Sequence, residues 1–86
     1  MNVEDLKIGD PYKYVGRNHK PFKVAYFGTQ VNAWSGREYY KFYAWGSTAE
    51  TRGYLLTSGD VQTFLFPNSM KEAQILKALK MSGVKL

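Results

Sequence analysis

The stretch Glu38-Tyr39-Tyr40-Lys41-Phe42-Tyr43-Ala44-Trp45 decides the fold. Aromatic side chains dominate it, and such side chains fit the pleated, half-buried surface of a sheet. Period-two alternation puts Tyr40, Phe42 and Ala44 on one face. Tyr39, Lys41, Tyr43 and Trp45 fall on the other. A strand over 38–45 follows.

Towards the N-terminus, Asn32-Ala33-Trp34-Ser35-Gly36 reads as a turn. Before it, Phe22, Val24, Tyr26 and Gly28 alternate with Lys23, Ala25 and Phe27, predicting a strand over 22–31. Arg17-Asn18-His19-Lys20-Pro21 is a polar loop. Tyr12, Tyr14 and Gly16 alternate with Lys13 and Val15, predicting a strand over 12–16. Gly9-Asp10-Pro11 opens it as a turn, because the residue before a proline is pushed out of the helical region. Met1–Asp10 is either one short helical turn or an extended lead-in.

Towards the C-terminus, Gly46–Glu50 is a loop. Two further strands are expected over 51–57 and 60–66, joined tightly at Ser58-Gly59. In the second of these, Val61, Thr63 and Leu65 oppose Gln62, Phe64 and Phe66, and Pro67 ends it. A helix is expected over 69–82. Ser69 and Glu72 have capping-box spacing. Ala73, Ile75, Leu76 and Leu79 form an apolar stripe. Lys77 and Lys80 suit the negative end of the helix dipole, and Ser82-Gly83 suits a C-cap.

The expected fold class is mainly β, of the α+β kind: a five-stranded, strongly bent antiparallel sheet with one C-terminal helix. The Gly9-Asp10 lead-in and the run of five short strands resemble, over residues 8–66, a small SH3-like barrel, to which the helix would be an addition. The alternative is a sheet with the helix packed across one face. The short chain, the lack of cysteine and the dense aromatic sheet also resemble the small accessory proteins that bacteriophages encode.

At 86 residues the chain is expected to form a single domain, 1–86. It contains no cysteine, so disulfides and thiolate metal sites are excluded and a reducing, cytoplasmic setting is expected. An acidic, polar N-terminus and the absence of a long apolar run predict neither a signal peptide nor a membrane span.

The formal net charge is +5, and its placement says more than its size. Lys13, Arg17, Lys20, Lys23, Arg37 and Lys41 lie between Pro11 and Ala49 against one acid, Glu38. The remainder of the chain is neutral. Eleven of the fourteen aromatic residues share that segment. Basic and aromatic side chains interleaved on a sheet bind nucleic acid by phosphate pairing and base stacking. The same composition also describes a plain aromatic core with lysines on a wet face.

Signals for catalysis are weak. His19 is the one histidine and stands in a loop without an oriented partner. Asp10 and Asp60 sit beside glycines, where aspartate ordinarily caps backbone N–H groups. Ser35, Ser47 and Ser58 have no histidine near them in sequence. No metal-ligand spacing and no phosphate-cradling glycine loop is present. The chain is therefore read as a non-enzyme with no cofactor and no bound metal.

Trp34 is the leading candidate for binding, since turn residues are exposed and tryptophan dominates interface hot spots. It either docks on a partner or folds back over the end of the sheet. Arg17 and Lys20, with His19 beside them, form a second basic cluster. It lies ~30 Å from the Trp34 turn, at the far end of the second strand. Lys13, Lys23, Arg37, Lys41, Tyr39 and Tyr43 complete the candidate set, and whether they share a face depends on register. Lys71, Gln74, Lys77 and Lys80 form a polar helix face, read as solvated.

Two functions compete. One is a small module that binds and modulates another protein, an acidic one, as a phage regulator of a host complex would. The other is a nucleic-acid-binding module using the basic, aromatic sheet at 11–49. Tyrosine, tryptophan and arginine favour the first, and +5 is modest for the second. Pairing of exposed strand edges between copies is a third, weaker alternative.

Overall fold

A computed structural model of the chain describes residues 1–16, 20–46 and 53–85. A short 3-10 turn, Val3–Asp5, leads into β1 (Pro11–Val15), β2 (Pro21–Val31), β3 (Glu38–Ala44) and β4 (Gly53–Leu56). Then come α1 (Ser58–Phe64), β5 (Leu65–Pro67) and α2 (Glu72–Met81). The five strands form one antiparallel sheet in the order β4-β3-β2-β1-β5. The protein is thus a small, mostly β member of the α+β class.

The sheet is open. Its edges are β4 and β5, which do not pair with each other. The barrel form of the expectation is therefore not confirmed. The expected strand over 60–66 is also corrected. Residues 58–64 are helical, and the fifth strand is the short 65–67 segment that pairs with β1.

A capping box is the cause. The Asp60 N–H donates to Thr57 Oγ1 at 3.2 Å, and the Thr57 N–H donates to Asp60 Oδ2 at 3.1 Å. Two backbone donors at the helix start are satisfied reciprocally, which a hairpin turn at Ser58-Gly59 would forgo. Helical spacing also sends Val61 and Leu65 to the same place, and both are fully buried. By crossing the sheet, α1 carries the chain from the β4 edge to the β5 edge.

The remaining elements agree with the sequence to within a few residues. For β4, residues 51–52 of the expected span lie outside the described residues. The C-terminal helix begins at Glu72 rather than Ser69, because Asn68-Ser69 turns back so that the Met70 N–H meets the Pro67 carbonyl. Gln74 Oε1 then accepts from the Lys71 N–H at 3.1 Å. At its other end the Gly83 and Val84 N–H groups return to the Lys80 and Leu79 carbonyls, a Schellman-type closure.

Each face of the sheet has its own cluster. On the core face, Tyr12, Val24, Tyr26, Phe42, Leu56 and Leu65 pack with Val61 of α1, and Met1, Val3 and Leu6 cover them. On the opposite face, α2 covers only one flank. There Ile75 and Leu79 pack on Val15 of β1 and Phe66 of β5. Burying a leucine or isoleucine side chain contributes about 1.5–3 kcal/mol, so these few contacts hold the helix in place. No helix is long and apolar enough to cross a membrane among the described residues.

Candidate functional site

Register decides which charged side chains meet. Lys13 stands opposite Lys23 across β1 and β2, and Ala25 stands opposite Tyr43 across β2 and β3. Alternation along β3 then puts Tyr39, Lys41 and Tyr43 on the same side as Lys23. Lys13, Lys23, Tyr39, Lys41 and Tyr43, which the sequence alone could not place, therefore share the face that α2 only partly covers.

A β-bulge shapes this face. Between Tyr26 and Gly28 the pairing with β3 slips by one residue, leaving Phe27 as the extra one. Gly28 has φ +103, a conformation L side chains rarely adopt, and this makes the bulge cheap. The bulge keeps Phe27 on the open face, where its ring meets Tyr43 edge-on with centroids 4.5 Å apart.

The pair lies at one side of a shallow pocket of about 270 Å³ lined by Ala25, Phe27, Tyr43 and Trp45, with Gly9 and Gly46 at its margins. Phe27, Trp45 and Leu55 are 50%, 49% and 47% exposed. Tyr43 is buried because Phe27 covers it and because its ring lies across Gly53. A Cβ at Gly53 would come within 3.2 Å of Tyr43 Cε1.

Two ammonium groups rest on this aromatic surface. Lys23 Nζ is 4.3 Å from the centroid of the Trp45 ring, and Lys41 Nζ is 5.4 Å from that of Tyr43. Both are within the range at which a ring quadrupole attracts a cation. Among the described residues, Glu38 is the only acid in the five strands. It shares a side of β3 with Tyr40 and Phe42, and Tyr40 Oη donates to Glu38 Oε1 at 3.3 Å. The open face thus receives no carboxylate from the sheet.

Lys13 behaves differently from the other lysines. Its ammonium donates to the Met70 carbonyl at 2.8 Å, tying β1 to the segment before α2. Of the candidate lysines on this face, it is the one whose ammonium serves a hydrogen-bonded contact within the fold. Arg17, with His19, lies outside the described residues. Lys20 is exposed at the start of β2, at the opposite end of that strand from the Trp34 turn.

Trp34 does not fold back. It is 99% exposed at the tip of the β2–β3 hairpin, with Arg37 exposed beside it. The turn that carries it is tightly made. Asn32 Oδ1 accepts from the Trp34 and Ser35 N–H groups at 2.9 and 3.1 Å. The Asn32 N–H donates to the Arg37 carbonyl at 2.9 Å, the Gly36 N–H to the Asn32 carbonyl at 2.8 Å, and the Arg37 N–H to Ser35 Oγ at 3.2 Å. Gly36 supplies the positive φ, +69, that this turn requires.

Phe27, Trp45 and Leu55 are the open-face residues missing from the sequence-derived set. Alternation with Lys23 and Lys41 was the signal that could have found Phe27 and Trp45. Among the described residues no group of three or more His, Asp or Glu side chains could hold a metal ion. No known protein family, no curated protein and no solved structure matches the chain.

Proposed function

We propose that the chain is a non-catalytic module that binds and modulates another protein, and that Trp34 is its anchor. The observation that carries this reading is a tryptophan left 99% exposed on a turn fixed by five hydrogen bonds. The backbone that carries the indole is already ordered, and the side chain has only two torsions to fix on docking, so little freedom is lost against the area buried. Arg37 at the same tip supports a partner with a carboxylate beside an apolar cleft. The absence of cysteine supports a reducing compartment, the cytoplasm, as the place of action.

The experiment is a capture from lysate of the cells that express the protein, after nuclease treatment, with wild type and Trp34→Ala compared side by side. A protein retained by wild type and lost with the variant is the expected result. Equal recovery on both overturns the role of Trp34. Because Trp34 touches nothing in the fold, the variant keeps its thermal midpoint.

A further inference from the structure

We infer that the open sheet face is a second binding surface, distinct from the hairpin tip, and that its ligand is single-stranded nucleic acid. Three observations carry this. First, the face offers half-exposed rings: Trp45 and Phe27 line a shallow pocket on it. Stacking on such rings is tolerant of sequence, because every base has a π-face.

Second, the cations are placed with the rings and not apart from them. Lys23 lies against Trp45 and Lys41 against Tyr43. The two ammonium groups lie over Tyr43 and Trp45, two residues and about 7 Å apart along β3 at the standard rise per residue. A base stacking on Trp45 would take the place of the Lys23 ammonium on the ring and leave both ammonium groups to neighbouring phosphates. Third, among the described residues the only strand acid, Glu38, sits on the other face with Tyr40, so no described strand residue repels phosphates on the open face.

The exposed rings also select the form of nucleic acid. A duplex hides its base faces in its stack, so it cannot lay a base on Trp45. Only an unpaired strand can offer bases to Trp45 and phosphates to Lys23 and Lys41 together. Lys13 is excluded from the set, since its ammonium is engaged by the Met70 carbonyl.

The test uses the full chain carrying Trp34→Phe, which leaves Trp45 as the only indole and removes the hairpin anchor. A fluorescein-labelled oligothymidylate of ten nucleotides is titrated at low salt, reading label anisotropy and Trp45 emission together. The expected result is binding with quenched Trp45 emission. Affinity should fall with salt at a log–log slope of about −1.4, for two phosphate contacts on a single strand. Trp45→Leu should weaken binding roughly 5- to 150-fold, the range for one lost stacking contact.

The double variant Lys23→Gln/Lys41→Gln keeps both rings, and it should flatten the salt slope. Absence of binding at low salt would overturn the inference. So would binding that leaves Trp45 emission unchanged, or a duplex bound as tightly as the single strand. Displacement by polyglutamate as effective as by unlabelled oligonucleotide would assign the face to an acidic protein instead. Since Trp34 is absent throughout, failure here leaves the hairpin reading standing, and failure of that reading leaves this one standing.

Discussion

The Lys13 ammonium and the Met70 carbonyl, 57 residues apart in the chain, form a 2.8 Å hydrogen bond that closes the sheet against the lead-in to α2. A charged donor on a half-buried acceptor is worth ~1–2 kcal/mol after allowance for solvent. Lys13→Ala should therefore lower the unfolding free energy by that amount, read as a fall in the urea midpoint of roughly 1–2 M at a slope of about 1 kcal/mol/M, with the slope itself unchanged. It should leave oligonucleotide affinity unchanged, whereas Lys23→Gln should do the reverse. A chemical denaturation series with the two variants separates structural from binding lysines.

The Thr57–Asp60 capping box fixes where β4 ends and the crossing begins. Thr57→Ala removes the acceptor for the Asp60 N–H, and N-cap losses cost about 1 kcal/mol. Serine restores the hydroxyl, so Thr57→Ser should retain most of the stability. Thermal unfolding followed by circular dichroism distinguishes the two; equal losses would mean that the methyl group and not the cap matters.

Trp34 is displayed by Asn32, whose side chain holds two N–H groups of the turn. In a Trp45→Phe background, Trp34 is the sole reporter. Asn32→Ala should then lower the steady-state anisotropy of its emission, because the turn loosens while the indole stays in water. Partner capture should weaken in the same variant although the tryptophan is intact. Unchanged anisotropy would show that the backbone bonds of the turn suffice without the asparagine.

Tyr26 and Tyr40 titrate above the ordinary tyrosine value of 10.0. For Tyr26 the leading cause is burial, followed by charge on Tyr40, Glu38 and Tyr12; for Tyr40 it is partial desolvation, followed by the charge and hydrogen bond of Glu38. The folded state holds these phenols neutral more firmly than the unfolded chain does. Their contribution to stability is complete below pH ~10 and is lost as pH rises through the folded-state values. Ultraviolet titration at 295 nm should show late-ionising tyrosines, and Glu38→Gln should bring Tyr40 back towards its ordinary value.

Gly53 makes room for the Tyr43 ring, and Gly53→Ala would press a methyl group to 3.2 Å from Cε1. The ring must shift towards Phe27, which opens the pocket beside Trp45. Alanine in a strand ordinarily outperforms glycine, so a net loss of stability would measure that crowding directly.

The strand at 38–44 was legible because its aromatic alternation admits one period only. The segment 60–66 was not, because Val61 and Leu65 satisfy both a period of two and a helical spacing of four. The deciding signal, Thr57 three residues before Asp60, was present but overshadowed by the glycine at 59. The site divided in the same way. Alternation assigned Tyr39, Lys41, Tyr43 and Trp45 to one side of their strand, but only the register shows Lys23 joining them. The contact of Lys13 depends on a carbonyl supplied by residue 70, and no local pattern encodes it.

The helix that crosses from one edge of the sheet to the other also orders its assembly. Strands β1 to β4 meet only through neighbouring hairpins, whereas Tyr12 pairs with Pro67 across more than fifty intervening residues. Closing so long a segment carries an entropic penalty that adjacent hairpins avoid. The four-stranded meander is thus the unit that forms first, and α1, β5 and α2 dock last. The same connectivity sets what is exposed when the C-terminal third opens: loss of α2 bares Val15 and Phe66, whereas loss of α1 and β5 takes Val61 and Leu65 out of the main core.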